Sequence, residues 1–281
     1  MAVRILTDSG CDFSQGEAAK LGVGVVPVYI IYGTERLRDG VDIDKATFYK
    51  RMAAGENAKT EPATVDDYKA IFARTIEGGN DALLISMSSG ISPSYENAKA
   101  AAALFPGRVY VVDSRGASGL ESLFVEYAAE RAAAGDSAES ISKRLAPGSL
   151  KTAIFFAVPD MASFGRSGRL PRAIAALGSV MGVSMVLKMS EQGVVASAGQ
   201  SFSFEKTCEI MVDALTRAVA RSPQVRIAVT HIEAEATAKS LAKMFEEKLG
   251  HPPAHEMIRE TTVTIATHIG KGAVGIAAIV P

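Results

Sequence analysis

VRILTDSGCDFSQGEAAKLGVGVVPVYII, residues 3–31, decides the architecture. An apolar, β-branched run (3–9) leads into a helical pattern (14–21) that Gly22 closes, and a second apolar run, VGVVPVYII (23–31), follows. Strand, helix and strand in that order make a βαβ unit, whose strands lie parallel because the helix returns the chain to the same edge. The alternation continues. Strands are predicted at DALLISM (81–87) and RVYVVDS (108–114), with helical patterns at 44–54, 64–77, 92–105, 117–134 and 137–145. Several of these end at glycine, which caps a helix C-terminus readily. APGS (146–149) joins Pro and Gly with little apolar content and reads as a linker.

Beyond it the pattern changes: a strand (151–160), a helix (170–182), a hairpin (184–199) turning at Glu191, Gln192 and Gly193, a helix (203–222), a strand (225–232), a helix (233–249) and two closing strands around HEMIRET and AVGIAAIV. The expectation is an α/β chain in two domains. Residues 1–150 carry a mostly parallel sheet flanked by helices, and 151–281 a mixed sheet with helices.

Composition narrows the function. Thirty Lys plus Arg against thirty-one Asp plus Glu leave a net charge of −1 over 281 residues, so no basic field draws in nucleic acid or an anionic membrane. The longest apolar runs, 180–187 and 273–280, are far below the roughly 20 residues a membrane span needs. MAVRILTDSG carries no basic segment followed by an apolar stretch and cleavage site, so a cytoplasmic protein is expected. Cys11 and Cys208 stand far apart in no CxxC spacing, and no GxGxxG after a strand, GxxxxGK[ST], GxSxG or HExxH occurs. A metal and a standard nucleotide cofactor are therefore not expected.

Three predicted strands end alike, at TDSG (7–10), SMSSG (86–90) and VDSRG (112–116). Ligands of open parallel sheets bind beyond the carboxyl ends of the strands, so Asp8, Ser9 and Ser89 are candidates for one polar crevice; the plainer reading is that they cap helices. In SSGISPSYENA (88–98), Ser92 is the expected N-cap with Pro93 at the first helical position. The amides of Ser94 and Tyr95 and the hydroxyls of Ser89, Ser92 and Ser94 would then form an anion cup suited to a carboxylate or phosphate. His251 and His255 are separated by two prolines and read as loop residues, while His231 is either core or site edge. His268, in the glycine-rich ATHIGKGAVG (266–275), can donate to an oxyanion.

These motifs, with VVPVYIIYG and RDGVDI (25–43), VDSRGAS (112–118), FGRSGRL (164–170) and ALGSVMGV (176–183), fall in the order and spacing of the DegV family, which the chain resembles from residue 3 onward. The resemblance implies a two-domain α/β protein holding a long-chain fatty acid in a tunnel between its domains. It also implies that the protein is not itself a catalyst and has no cofactor. In kinase-coupled members a partner fatty acid kinase phosphorylates the bound carboxylate to an acyl phosphate. Carried over residue by residue, the carboxylate-binding positions are Thr60 in KTEPAT (59–64), Ser92 and His268, and Ser94 of the helix-end cup is expected to join them. Arg169 and Thr267 line the site or the partner surface. Tail-lining candidates are Ile154, Phe155, Phe156, Val158, Met185 and apolar residues of 170–182. Transient membrane contact during lipid exchange is compatible with this reading. Two rivals belong to other classes: a hydrolase or acyltransferase with Ser92 as nucleophile, His268 as base and Asp8 or Asp113 as orienter, and a binder of a different anion such as a phosphorylated metabolite.

Overall fold

The computed structural model describes residues 2–159, 161–166, 168–169 and 183–281. Strands β1 (Val3–Asp8) and β2 (Gly24–Val26) flank α1 (Gln15–Lys20), which Ser14 caps in a reciprocal box with Glu17. Pro27 has no N–H for a ladder, and there the run 23–31 divides instead of forming one strand. Beyond the proline, β3 (Tyr29–Tyr32) enters a separate antiparallel sheet between β4 (Glu35–Arg38) and β5 (Lys59–Glu61). The register sets Thr60 opposite Ile30. Helix α2 (Lys45–Ala53) starts at the cap Asp44, and α3 (Val65–Glu77) at the cap Thr64.

The first sheet is completed by β6 (Asp81–Ser86) and β7 (Val109–Asp113) in the order β2-β1-β6-β7, all parallel. On one face α3 and α4 (Ser94–Ala102) bury Tyr68, Phe72 and Ala98 against Leu6 and Leu84. On the other lie α5 (Gly119–Ala133) and α6 (Ala138–Arg144).

The second sheet uses β8 (Lys151–Val158), β9 (Ser184–Met189), β10 (Val195–Ser201), β11 (Arg226–His231), β12 (His255–Glu260) and β13 (Val274–Val280), in the order β10-β9-β8-β13-β11-β12. It is mixed: β11 and β12 run parallel and the other neighbours antiparallel. His255 opens β12 and contacts Glu126 at 2.7 Å, so it is not a loop residue. Helix α7 (Met161–Arg166) follows β8, and the helix expected over 170–182 lies outside the described residues. Helices α8 (Phe204–Val219) and α9 (Glu235–Leu249) cover one face of this sheet. A short helix, α10 (Val263–Ile269), was not expected from the glycine-rich reading; Gly270, with φ 84°, ends it. Among the described residues, no helix is long and apolar enough to cross a membrane.

The face of the second sheet opposite α8 and α9 meets the first half of the chain. Side chains alternate along a strand, so Ile154 joins the core built by Leu123 and Phe124 of α5, together with Ala228, Ala277 and Ile279, while Phe155 packs with α8 and α9. Gly119 permits this contact: a Cβ there would sit 2.9 Å from the Ala228 Cβ. Helix α5 therefore belongs to both sheets. The β9–β10 turn forms a second junction. Ser88 Oγ donates to the Gly193 carbonyl (2.7 Å) and Arg115 Nη1 to the Glu191 carbonyl (2.9 Å). Gly90 passes so close that a Cβ would fall 2.3 Å from the Gly193 oxygen.

Candidate functional site

Between the two halves lies a cavity whose walls enclose about 730 Å³ of space not occupied by atoms, open solvent at its mouth included. Its floor is the inner face of the second sheet. Phe156, Gly275 and Thr230 are lateral neighbours on β8, β13 and β11, and Ile154 lies one step along the same face. Gly275 keeps the floor low, because it presents no side chain in the middle of a strand. Helix α10 contributes Ile265, His268 and Ile269, whose four- and three-residue spacing puts them on one face. Met189 and Val195 flank the hairpin turn, Ile91 follows β6, and Phe164 meets Phe156 edge-on at 5.9 Å. These walls are almost wholly hydrocarbon.

Polar atoms gather at two places. At the C-terminal end of α10, His268 lines the cavity with Arg169, and its Nε2 is 2.8 Å from Thr60 Oγ1. Burial, reinforced by the Arg169 charge, pushes the His268 pKa from 6.5 down to about 3, so the imidazole is neutral at physiological pH. A neutral imidazole and a hydroxyl carry two donatable protons. Their mutual bond uses one, and one remains for a ligand. The Arg169 guanidinium, partly buried itself, adds positive charge beside that donor. A neutral donor and a cation at the end of a greasy cavity suit a carboxylate attached to an aliphatic chain, since a buried carboxylate without partners is very costly.

The second place is at the other end of α10, where Ser118, Thr230 and Thr261 reach the wall. Ser118 Oγ donates to Asp12 Oδ2 (2.5 Å) and lies 3.3 Å from Thr230 Oγ1. Burial raises the pKa of Asp12 to about 6.

Several sequence candidates sit elsewhere. Asp8 is fully buried and accepts from the Gly10 amide (2.8 Å), Ser86 Oγ (3.0 Å) and the Met87 amide (3.1 Å), tying the ends of β1 and β6 together. Burial raises its pKa to about 6, and raises that of its neighbour Glu121 as well. Ser9 accepts from the Val28 amide (2.8 Å) and meets Thr264 (3.2 Å). Ser89 donates to Asp113 (2.6 Å), and Thr267 donates to the Val263 carbonyl within its own helix (2.7 Å). For Asp8, Ser9 and Ser89 the bonds are those of loop fixation, not of an open crevice.

The anion cup also differs from expectation. Helix α4 begins at Ser94, with Pro93 at its cap position. The Ser92 hydroxyl takes the Ser94 amide (3.2 Å) and pairs with the Ser94 hydroxyl (2.9 Å). The Ser92 and Ser94 hydroxyls of the cup are thus engaged with each other. Ser92 is bonded to Ser94, and His268 to Thr60, so the hydrogen bond a serine nucleophile needs from its base is not made. Of the expected tail lining, Ile154 and Phe156 reach the cavity, whereas Val158 and Met185 are core and Phe155 faces the opposite side. Residues 170–182 lie outside the described residues. Sequence reasoning missed Ile91, Ile265, Thr230 and Thr261; the interior-strand Gly275 was a usable signal, because glycine there often marks a close approach. Among the described residues, no cluster of His, Cys, Asp and Glu could hold a metal ion.

Comparison with known proteins finds relatives that match along the whole chain. The family described as "Uncharacterised protein, DegV family" matches residues 2–280. A DegV domain-containing protein of Mycobacterium tuberculosis is 28% identical over 280 residues, covering 98% of this chain and 96% of the relative. A solved DegV family protein of Thermus thermophilus, described by its fatty acid binding, superposes with a TM-score of 0.90 at 27% identity over 100% of both chains. A stearic-acid-binding protein of Eubacterium ventriosum shares the fold, with a TM-score of 0.89 at 23% identity over 99% of this chain and 98% of that one. With the family match spanning nearly every residue and the fold reproduced throughout, the chain belongs to the DegV family.

Proposed function

We propose that the protein binds a long-chain fatty acid, with its tail in the cavity between the two halves and its carboxylate at His268, Thr60 and Arg169. The observation that carries this reading is the polarity of the cavity: hydrocarbon walls that end beside a neutral imidazole–hydroxyl pair and a guanidinium. About fifteen buried methylenes at roughly 0.8 kcal/mol each favour the complex by about 12 kcal/mol before the costs of association and ordering. No bond-making step is assigned to the chain itself. In the kinase-coupled form of this proposal, a partner kinase in the cytoplasm transfers the terminal phosphoryl group of ATP to a carboxylate oxygen. The O–P bond to ADP breaks as the acyl phosphate forms. Fatty acid is exchanged during transient membrane contact.

The test is the lipid content of the purified protein, extracted and identified by mass spectrometry, followed by uptake of palmitate or stearate by delipidated protein. Bound fatty acid and saturable uptake are expected. A lipid-free extract with no uptake overturns the proposal. Displacement of the probe by phosphorylated metabolites but not by fatty acids would favour the other-anion reading instead.

A further inference from the structure

Thr261, Thr262, Thr264 and Thr267 stand close together at and within α10, and three of them have engaged hydroxyls. Thr262 Oγ1 donates to the Ser9 carbonyl (2.7 Å), Thr264 Oγ1 to Asp39 (2.6 Å) and Thr267 Oγ1 to the Val263 carbonyl (2.7 Å). Thr261 is different. It is 3% exposed, it lines the cavity, and its hydroxyl is buried with no hydrogen-bond partner among the described residues. Its backbone is held in place, since its amide donates to the His231 carbonyl (2.9 Å).

A buried hydroxyl without a partner is destabilising unless something else supplies the bond. An unsubstituted acyl chain running past Thr261 would leave it unmatched. Val263 to His268 is five helical steps, about 7.5 Å at a 1.5 Å rise per residue, and Thr261 stands two residues before that helix, so the two polar places lie at opposite ends of the cavity wall. With the carboxylate at His268, the atoms that reach Thr261 belong to the middle of a long chain. Thr230 and Ser118 widen the polar patch, backed by Asp12.

Resting on the fatty-acid reading above, we propose that Thr261 is a specificity residue for an oxygen carried part-way along the tail, so that the preferred ligands include hydroxy or oxo fatty acids. The hydroxyl can both donate and accept, so it matches either substituent.

The test uses the full delipidated chain and displacement of a fluorescent fatty acid by stearate and by hydroxystearates bearing the hydroxyl at successive mid-chain carbons. At one position in the series, the wild type should bind the hydroxystearate at least as tightly as stearate. Thr261→Val, which keeps the shape and removes the hydroxyl, should weaken that ligand about tenfold and leave stearate unchanged or slightly tighter. Thr261→Ser should retain the preference. If stearate binds but no hydroxystearate responds differently from it in Thr261→Val, this inference is overturned and the fatty-acid reading stands. If stearate fails to displace the probe from the wild type, both fall.

Discussion

Replacing Gly275 with valine raises the cavity floor, and the structure sets how far. A Cβ at this position would lie 2.9 Å from Thr230 Oγ1 and 3.6 Å from the Phe155 carbonyl oxygen and the Phe156 Cβ. Neighbouring strands leave no space beneath or beside it, so the added carbons occupy volume meant for ligand. Three side-chain carbons displace about three methylenes of a bound tail, which at roughly 0.8 kcal/mol each amounts to about 2.4 kcal/mol, or about 60-fold in Kd. Gly275→Ala adds one carbon and should cost about fourfold on the same scale. The assay is displacement of a fluorescent fatty acid by a homologous series from laurate to stearate. Stearate should weaken by the stated factors, and laurate, six methylenes shorter, by less than about threefold. Thermal melts of the unliganded variants separate this effect from misfolding, since β13 lies inside its sheet. A shift equal for laurate and stearate, in variants that melt like the wild type, would show that the tail does not cross Gly275.

Three further outcomes follow from the geometry. Because the folded state holds the His268 pKa at about 3 against an ordinary 6.5, stability is full above pH 6.5 and is lost as the pH falls toward 3. His268→Gln, which does not titrate, should therefore gain on the wild type by up to about 2 kcal/mol between pH 7 and pH 5 in urea unfolding; a gap constant with pH would contradict the buried neutral imidazole. Gly90→Ala places a carbon 2.3 Å from the Gly193 carbonyl oxygen and should loosen the hairpin turn. Stopped-flow release of a fluorescent fatty acid should then be faster by several-fold, and an unchanged rate would mean that this contact does not retain ligand. Gly119→Val forces α5 away from Ala228 and should cost about 1–3 kcal/mol of stability, as overpacking does; denaturant midpoints equal to those of the wild type would refute the close approach.

Much of the fold was legible because apolar periodicity and caps act locally. Ser14, Asp44, Thr64 and Ser203 cap the helices expected after them, and the parallel strands fall where β-branched runs occur. The failures have local causes too. Pro27 split one apolar run between two sheets, while β4 and β5, ERLR and KTE, are too short and charged to show a strand pattern. At the site, Thr60 and His268 lie 208 residues apart and meet only because β5 and α10 pack together, a proximity carried over from the family resemblance and invisible to spacing. The Asp and Ser at the strand ends were visible, but their use was not. Whether a buried hydroxyl fixes a loop or faces a ligand depends on which partner tertiary packing supplies.

Helix α5 has a consequence for the integrity of the whole molecule. Sequence places a border near residue 150, yet Leu123 and Phe124 share one core with Ile5 and Leu83 on one side and Ile154 and Ile279 on the other. Severed at that border, the leading fragment would carry an α5 flank stripped of its cover, and the trailing fragment a naked sheet face. On this packing neither piece should fold alone, and calorimetry of the intact chain should record one cooperative melt in which both halves are lost together.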